Sequence, residues 1–314
     1  MPTSSRWKMT ITPTPASCPG NGLFTLVAAA GRNELDYVKF YRTLPPQVAN
    51  SVLAQIGVVH PLESSFRRAE YEHDQAATSS YFLHTPKNLI LVSVESLSAS
   101  FLGSYGSTKK LTPNLDGLAR DGLKFDNVFA TGTRTVRGLE ALSLGTPPTP
   151  EQAIVRRPHN DHLSTLGEVL RDQSFDTFFF YGVYGYFDNM ARYFETNDYQ
   201  VIDRTDIPSS RVIFENIWGV ADEVLFDTVI DKLDRRMDQR KPFFVHVMTT
   251  INHRPYTFPD GRIDICSPGG RDGAVKYTDY AIGKFIHDAQ KKPWFNDTLF
   301  VFVADHCAQS PARP

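Results

Sequence analysis

At 314 residues, with 41% hydrophobic and 22% charged residues, the chain has the balance of a soluble globular protein and room for one large α/β domain or two smaller ones. A formal net charge of −2 gives no general attraction to nucleic acid or to an anionic membrane. Three cysteines with no CxxC exclude a disulfide framework and a cysteine zinc site, and no apolar run reaches the ~20 residues of a transmembrane helix.

Residues 1–22 are rich in Pro, Ser and Thr and read as disordered. Residues 23–85 read as a helical linker region, with Asn33 to Tyr37 opening an amphipathic stretch and 61–85 polar and charged. A catalytic-type domain is predicted over 86–314. Asn88 to Val94 is a buried strand by its Val, Ile and Leu content. Thr112-Pro113 starts a helix that runs to about Gly122, with Thr112 as N-cap and Pro113 in the first turn. Phe125 to Phe129 reads as a short extended segment, and Arg137 to Leu144 as the start of a helix. Ser164 to Gln173 is a helix with Leu166, Val169 and Leu170 on one face. Thr177 to Tyr181 is a buried strand. Glu215 to Arg240 reads as a long helix broken near Gly219. Phe243 to Met248 is a strand, Gly273 to Lys291 a helix, and Thr298 to Ala304 a strand. Strands alternating with helices predict parallel βαβ units in an α/β sandwich.

In such sheets the functional site lies beyond the carboxyl ends of the strands. Two strands lead there into metal-ligand residues: the first into Glu95-Ser96, the last into Asp305-His306. Oxygen and imidazole ligands suit Mn, Mg or Zn. An acid after a strand also serves as a helix cap, so Glu95 alone does not decide. Thr131 to Gly138 is a hydroxyl-rich loop with Arg134 and Arg137, ahead of a helix. Helix N-terminal N–H groups and guanidinium forks hold phosphate or sulfate oxygens, and a hydroxyl there can be a nucleophile; a surface turn would read the same. His253 follows the strand Phe243 to Met248, where it would hold substrate or move a proton, or be incidental. His246, inside that strand, and the aromatic run Phe178 to Tyr181 read as core. His159 and His162 read as a rim loop.

Taken in order, Val94-Glu95-Ser96, Thr112 to Leu115, Ala130 to Thr135, Asn252 to Pro255 and Ala304-Asp305-His306 resemble the lipoteichoic acid synthase and phosphoglycerol transferase branch of the alkaline phosphatase/sulfatase superfamily, from about Pro86 to His306. The resemblance implies a three-layer sandwich with a largely parallel central sheet flanked by helices. It implies one divalent ion, Mn with Mg or Zn as alternatives, held by Glu95, Thr135, Asp305 and His306. Thr135 would be the nucleophile, with Thr131 and Thr133 as alternatives, and His253, Arg134 and Arg137 would bind substrate. The implied reaction moves phosphoglycerol from a phosphatidylglycerol-like lipid headgroup to a glycan hydroxyl; a hydrolase of the same superfamily and an inactive fragment are the alternatives. Acceptor choice would lie in rim loops Tyr181 to Asn189 and Tyr256 to Asp264. The absence of a C/S-x-P-x-R motif disfavours sulfate ester hydrolysis. By the same likeness the domain would face outward from the cytoplasmic membrane, in the cell envelope and in association with the membrane. It would also continue beyond Asp305-His306, so the chain reads as C-terminally incomplete, with an exposed sheet edge.

Overall fold

The computed structural model describes residues 44–55, 86–149, 151–236 and 238–307. The segment 1–22 and most of 23–85 lie outside them; within the latter, one helix, α1 (Pro46–Gln55), is described. Among the described residues no helix is long and apolar enough to cross a membrane.

Five parallel strands form one sheet: β1 (Asn88–Val94), β2 (Asp176–Tyr181), β3 (Gln200–Ile202), β6 (Phe243–Met248) and β7 (Thr298–Ala304), in the order β3-β2-β6-β1-β7. The two strands numbered between β3 and β6 belong to a separate hairpin, β4 (Glu215–Asn216) with β5 (Gly219–Val220). Strand alternation splits the apolar side chains between two faces. Ile90, Val92, Phe178, Phe180, Val245 and Val247 pack with α6 (Asp222–Asp234), α7 (Gly270–Ala289) and Leu115 of α2 (Pro113–Asp121). Leu91, Phe179, Tyr181, Phe244 and Met248 pack on the other side with α3 (Thr135–Leu144) and α5 (Met190–Glu195), where Leu166 and Leu170 of α4 (Leu166–Asp172) also contribute. The result is the expected three-layer sandwich with a parallel central sheet.

The strands over 88–94, 243–248 and 298–304 fall where the apolar runs place them. The histidine inside β6 is core as read: His246 is fully buried, its Nε2 2.7 Å from Ser93 Oγ. Burial pulls its pKa down to about 3.

Four expectations are corrected. The long helix over 215–240 is instead the β4–β5 hairpin followed by α6. Gly219 has φ +94, and a Cβ there would lie 2.0 Å from the Gly182 carbonyl oxygen, so this residue turns a hairpin rather than breaking a helix. Phe125 to Phe129 is not extended strand; no partner strand reaches it among the described residues, and Phe125, Val128 and Phe129 are exposed. Val169 is exposed, so only Leu166 and Leu170 face the core from α4. Thr112 does not cap α2 with its side chain; its hydroxyl donates to Asp116. The Asn114 and Leu115 N–H groups are met by Asp279 of α7 at 3.0 and 2.8 Å.

At the sheet's end, β7 pairs with β1 alone among the described residues. All seven of its residues are half-buried, unlike the buried strands inside the sheet.

Candidate active site

The parallel register pairs Val94 with Ala304. The next residue on each strand, Glu95 and Asp305, therefore emerges side by side at the carboxyl edge. Ser96 turns the chain with φ 51, a strained value for a residue with a side chain. That turn aims the Ser96 N–H at Asp305 Oδ1 (2.8 Å) and its hydroxyl at Glu95 Oε1 (2.6 Å). Thr249 Oγ1 accepts the Glu95 N–H, and Asn252 Nδ2 donates to the Glu95 carbonyl.

Glu95, Asp305 and His306 are all buried, and one ligand atom from each lies within 4.8 Å of the others. His306 Nε2 is 3.5 Å from Glu95 Oε1 and 3.6 Å from Asp305 Oδ2. On its other side His306 Nδ1 lies 2.9 Å from the Cys307 carbonyl oxygen; a proton held there leaves Nε2 as the lone-pair donor once the ring is neutral. Asp305 Oδ2 is buried with no hydrogen-bond partner. A buried carboxylate oxygen without a donor is costly unless a cation meets it. Two carboxylates and an imidazole at this spacing fit a single Mn, Mg or Zn ion.

The ionisation states agree with that reading. Burial pushes Asp305 up, and the Glu95 charge adds to it, to about 7. Burial pulls His306 down, but its hydrogen bond to Glu95 and the Asp305 charge outweigh this and raise it to about 9. Burial pushes Glu95 up as well, yet the His306 and Ser96 hydrogen bonds hold it below its ordinary value. The metal-free site therefore keeps protons that a cation would displace. Burial raises Tyr181, at the end of β2, with Glu95 and Asp305 contributing, which places this phenol within the field of the cluster.

Thr135 is the first residue of α3, and its Oγ1 donates to Glu95 Oε2 at 3.0 Å. Thr131 and Thr133 are exposed in the preceding loop. Of the three threonines, Thr135 is the one whose hydroxyl reaches the carboxylate cluster. At this helix N-terminus the Arg137 and Gly138 N–H groups already meet the Arg134 carbonyl, which leaves those of Thr135 and Val136 outside the helical pattern. Helix α3 approaches the cluster closely because position 138 carries no side chain: a Cβ there would lie 2.2 Å from the Asp305 carbonyl oxygen. The role of Gly138 is legible only once β7 and α3 are side by side.

Arg134 is exposed at the N-cap of α3 and makes no ion pair among the described residues. Arg137 is used differently from the expectation. Its Nη1 meets the fully buried Glu140 at 2.8 Å and its Nη2 the Glu151 carbonyl. Glu140 Oε2 in turn accepts the Ile154 N–H at 2.6 Å. Arg137 is thus a clamp within the fold rather than a free anion fork. His253 is half-buried, its charge is felt by Glu95, and its ring lies 3.9 Å from that of Trp218. His159 and His162 are exposed and stand outside the cluster. Trp218, misread as helical, and Asp222 were missed. Asp222 is fully buried and accepts from the Thr250 and Ile251 N–H groups and the Thr278 hydroxyl, which holds the loop carrying Asn252 and His253. An acid just after an apolar Gly-Val-Ala was the available signal for it.

A sequence model of one protein family, described as Sulfatase, matches residues 87–312. Phosphoglycerol transferase I of Xanthomonas axonopodis pv. citri is 23% identical over 248 residues, covering 72% of this chain and 34% of that protein. A solved protein of the alkaline phosphatase superfamily from Vibrio parahaemolyticus superposes with a TM-score of 0.68 at 38% identity, covering 74% of this chain and 57% of that one. The lipoteichoic acid synthase LtaP of Listeria monocytogenes superposes with a TM-score of 0.64 at 22% identity, covering 73% and 58%. The chain spans about a third of the length of the curated relatives it matches.

Proposed function

The chain belongs to the Sulfatase family, within the alkaline phosphatase superfamily that its residues resemble, and from that premise we propose that it transfers a phosphoglycerol group from a phosphatidylglycerol-like lipid to a sugar or polymer hydroxyl, with Thr135 as nucleophile. One observation carries the reading: the Thr135 hydroxyl, at a helix N-terminus, lies 3.0 Å from Glu95 in a buried cluster of two carboxylates and an imidazole. The names of the relatives supply the transferred group.

In this scheme Thr135 Oγ gives up its proton and attacks phosphorus, the P–O bond to diacylglycerol breaks as the leaving oxygen takes up a proton, and a glycerophosphothreonine diester forms. The acceptor hydroxyl then displaces Thr135 and takes the phosphoglycerol. Glu95 orients the hydroxyl. The N–H groups opening α3 and the exposed Arg134 stabilise the phosphoryl oxygens, whose charge grows in the transition state. His253 is the group we assign to give a proton to the leaving diacylglycerol oxygen and to take one from the acceptor hydroxyl. A divalent ion held by Glu95, Asp305 and His306 would lower the pKa of the Thr135 hydroxyl and neutralise phosphoryl charge. A lipid donor requires the working site at a membrane surface, and the resemblance implies the outer face of the cytoplasmic membrane.

The test is release of diacylglycerol from a fluorescent phosphatidylglycerol by the Mn-loaded chain. Release that depends on metal and is lost in Thr135→Ala supports the reading. Product carrying the group on an added glycan, rather than free glycerophosphate, separates transfer from hydrolysis. No release from a cooperatively folded, metal-bound chain would refute the substrate assignment.

A further inference from the structure

The β4–β5 hairpin stands beside His253 and carries an apolar tip. Its two turn residues are Ile217 and Trp218, between the paired Asn216 and Gly219. Trp218 faces inward: its ring is 3.9 Å from that of His253, and its indole N–H donates to the Arg254 carbonyl. Phe187 packs edge-on against Trp218 at 5.5 Å. Phe187 belongs to the loop after β2, where the Tyr184 and Tyr186 rings stack at 5.8 Å. The hairpin and this loop are locked together, since Val220 N–H donates to the Gly182 carbonyl at 3.0 Å and Gly219 allows the close approach. The outward side is apolar and open: Ile217 is 77% exposed and Tyr186 82%. Arg254, next to His253, is exposed and makes no ion pair among the described residues.

We propose that this rim is a membrane-docking edge. Ile217 and Tyr186 enter the headgroup region of an anionic bilayer and Arg254 meets a lipid phosphate, which brings the headgroup beneath His253. The inference rests on the reading that the donor is a lipid. The composition of the rim and the chemistry of the proposed donor favour a lipid surface over other occupants. A protruding Ile beside Trp and Tyr rings, with a cation at their border, is the composition of a membrane interface. The donor's acyl chains stay in the bilayer, so the site must come to them. A sugar would use the flat tyrosine faces and leave the exposed Ile217 without a role.

The test measures co-sedimentation of the full chain with vesicles of phosphatidylcholine alone and of phosphatidylcholine mixed with phosphatidylglycerol. Binding to the mixed vesicles is expected, and the Ile217→Ser/Tyr186→Ser double variant should lower the partition coefficient about tenfold or more. The Phe125→Ser/Phe129→Ser double variant, on the exposed apolar segment that leads into the Thr131 to Thr135 loop, should leave it unchanged, and an equal loss there would overturn the assignment of the edge. As a second readout, an environment-sensitive dye on Ile217→Cys, in a background without the native cysteines, should shift to the blue when mixed vesicles are added. Equal binding by the Ile217/Tyr186 variant, no binding by the parent chain, or a dye that responds to a soluble glucan and not to vesicles would each overturn the inference. Release of diacylglycerol from a water-soluble short-chain phosphatidylglycerol is measured on the same variants. Vesicle binding decides the docking edge; Thr135-dependent release from the soluble donor decides the transferase reading. Release without docking therefore refutes only the first, and docking without release only the second.

Discussion

Replacing Gly138 with alanine tests whether the site depends on the contact between α3 and the end of β7. The new methyl carbon would lie 2.2 Å from the Asp305 carbonyl oxygen, 2.7 Å from its carbon and 2.9 Å from its Cα. All three are backbone atoms, so no side-chain rotation relieves the overlap. Reaching ordinary contact near 3.4 Å requires α3 and Asp305 to separate by 1.2 Å. That motion acts on the 3.0 Å hydrogen bond from Thr135 to Glu95, because Thr135 sits one turn away on the same helix. A displacement of about 1 Å at reacting groups costs on the order of 100-fold in rate. In stability two effects oppose each other. Alanine in a helix interior gains about 1 kcal/mol over glycine, and overpacking a tight interface costs about 1–3 kcal/mol. The expected outcome for Gly138→Ala is therefore a kcat/KM for diacylglycerol release about 100-fold lower, with a melting temperature no higher than the parent's. A variant that melts higher and keeps full activity would show that α3 gains only its propensity there, and would refute the argument.

Four further outcomes follow from the same geometry. Arg137→Ala leaves the buried Glu140 without its cation and should destabilise the fold by about 3–5 kcal/mol in denaturant titration. Arg134→Ala should leave stability unchanged and raise KM for the donor. Asp222→Ala strips the acceptor from two N–H groups and a hydroxyl, and should cost about 3 kcal/mol or more by the same measurement; Asp222→Asn, which keeps a carbonyl oxygen, should cost less. Metal binding should be proton-linked: Asp305 and His306 are both raised in the metal-free chain, to about 7 and about 9, and both must lose protons to bind a cation. Apparent Mn affinity should thus rise with pH, steeply below 7 and less steeply up to 9. Calorimetry at pH 8 in buffers of different ionisation heat should show about one proton released per ion; buffer-independent heats would contradict the raised pKa values.

The legible part of the fold was the part that chemistry repeats locally. β1 and β6 are continuous apolar runs because they are buried on both faces of a parallel sheet, and β7, half-buried at the sheet's end, keeps the same pattern; such runs need no partner to be recognised. Two of them end in ligand-type residues, so Glu95, Asp305 and His306 were visible before their proximity was. The hairpin at 215–220 was not legible, because two-residue strands carry too little pattern and an amphipathic helix follows at once. Arg137 was assigned to substrate by its neighbours in the loop, whereas its partner Glu140 lies one turn along α3, inside the core. The Phe125 to Phe129 segment has strand composition, but a strand exists only where a neighbour completes its hydrogen bonds.

By itself the sequence determined four of the five sheet strands, their parallel run, and which residues stand at their carboxyl ends, since these depend on hydrophobic periodicity and on short-range order; the three-residue β3 carries too little pattern to be read. The tertiary structure alone decided the register that sets Glu95 beside Asp305, the threonine that reaches them, the glycine that lets α3 approach, and the hairpin that carries Trp218 to His253. Each of these is a contact between residues far apart in the chain, and such distances are set only when the layers pack.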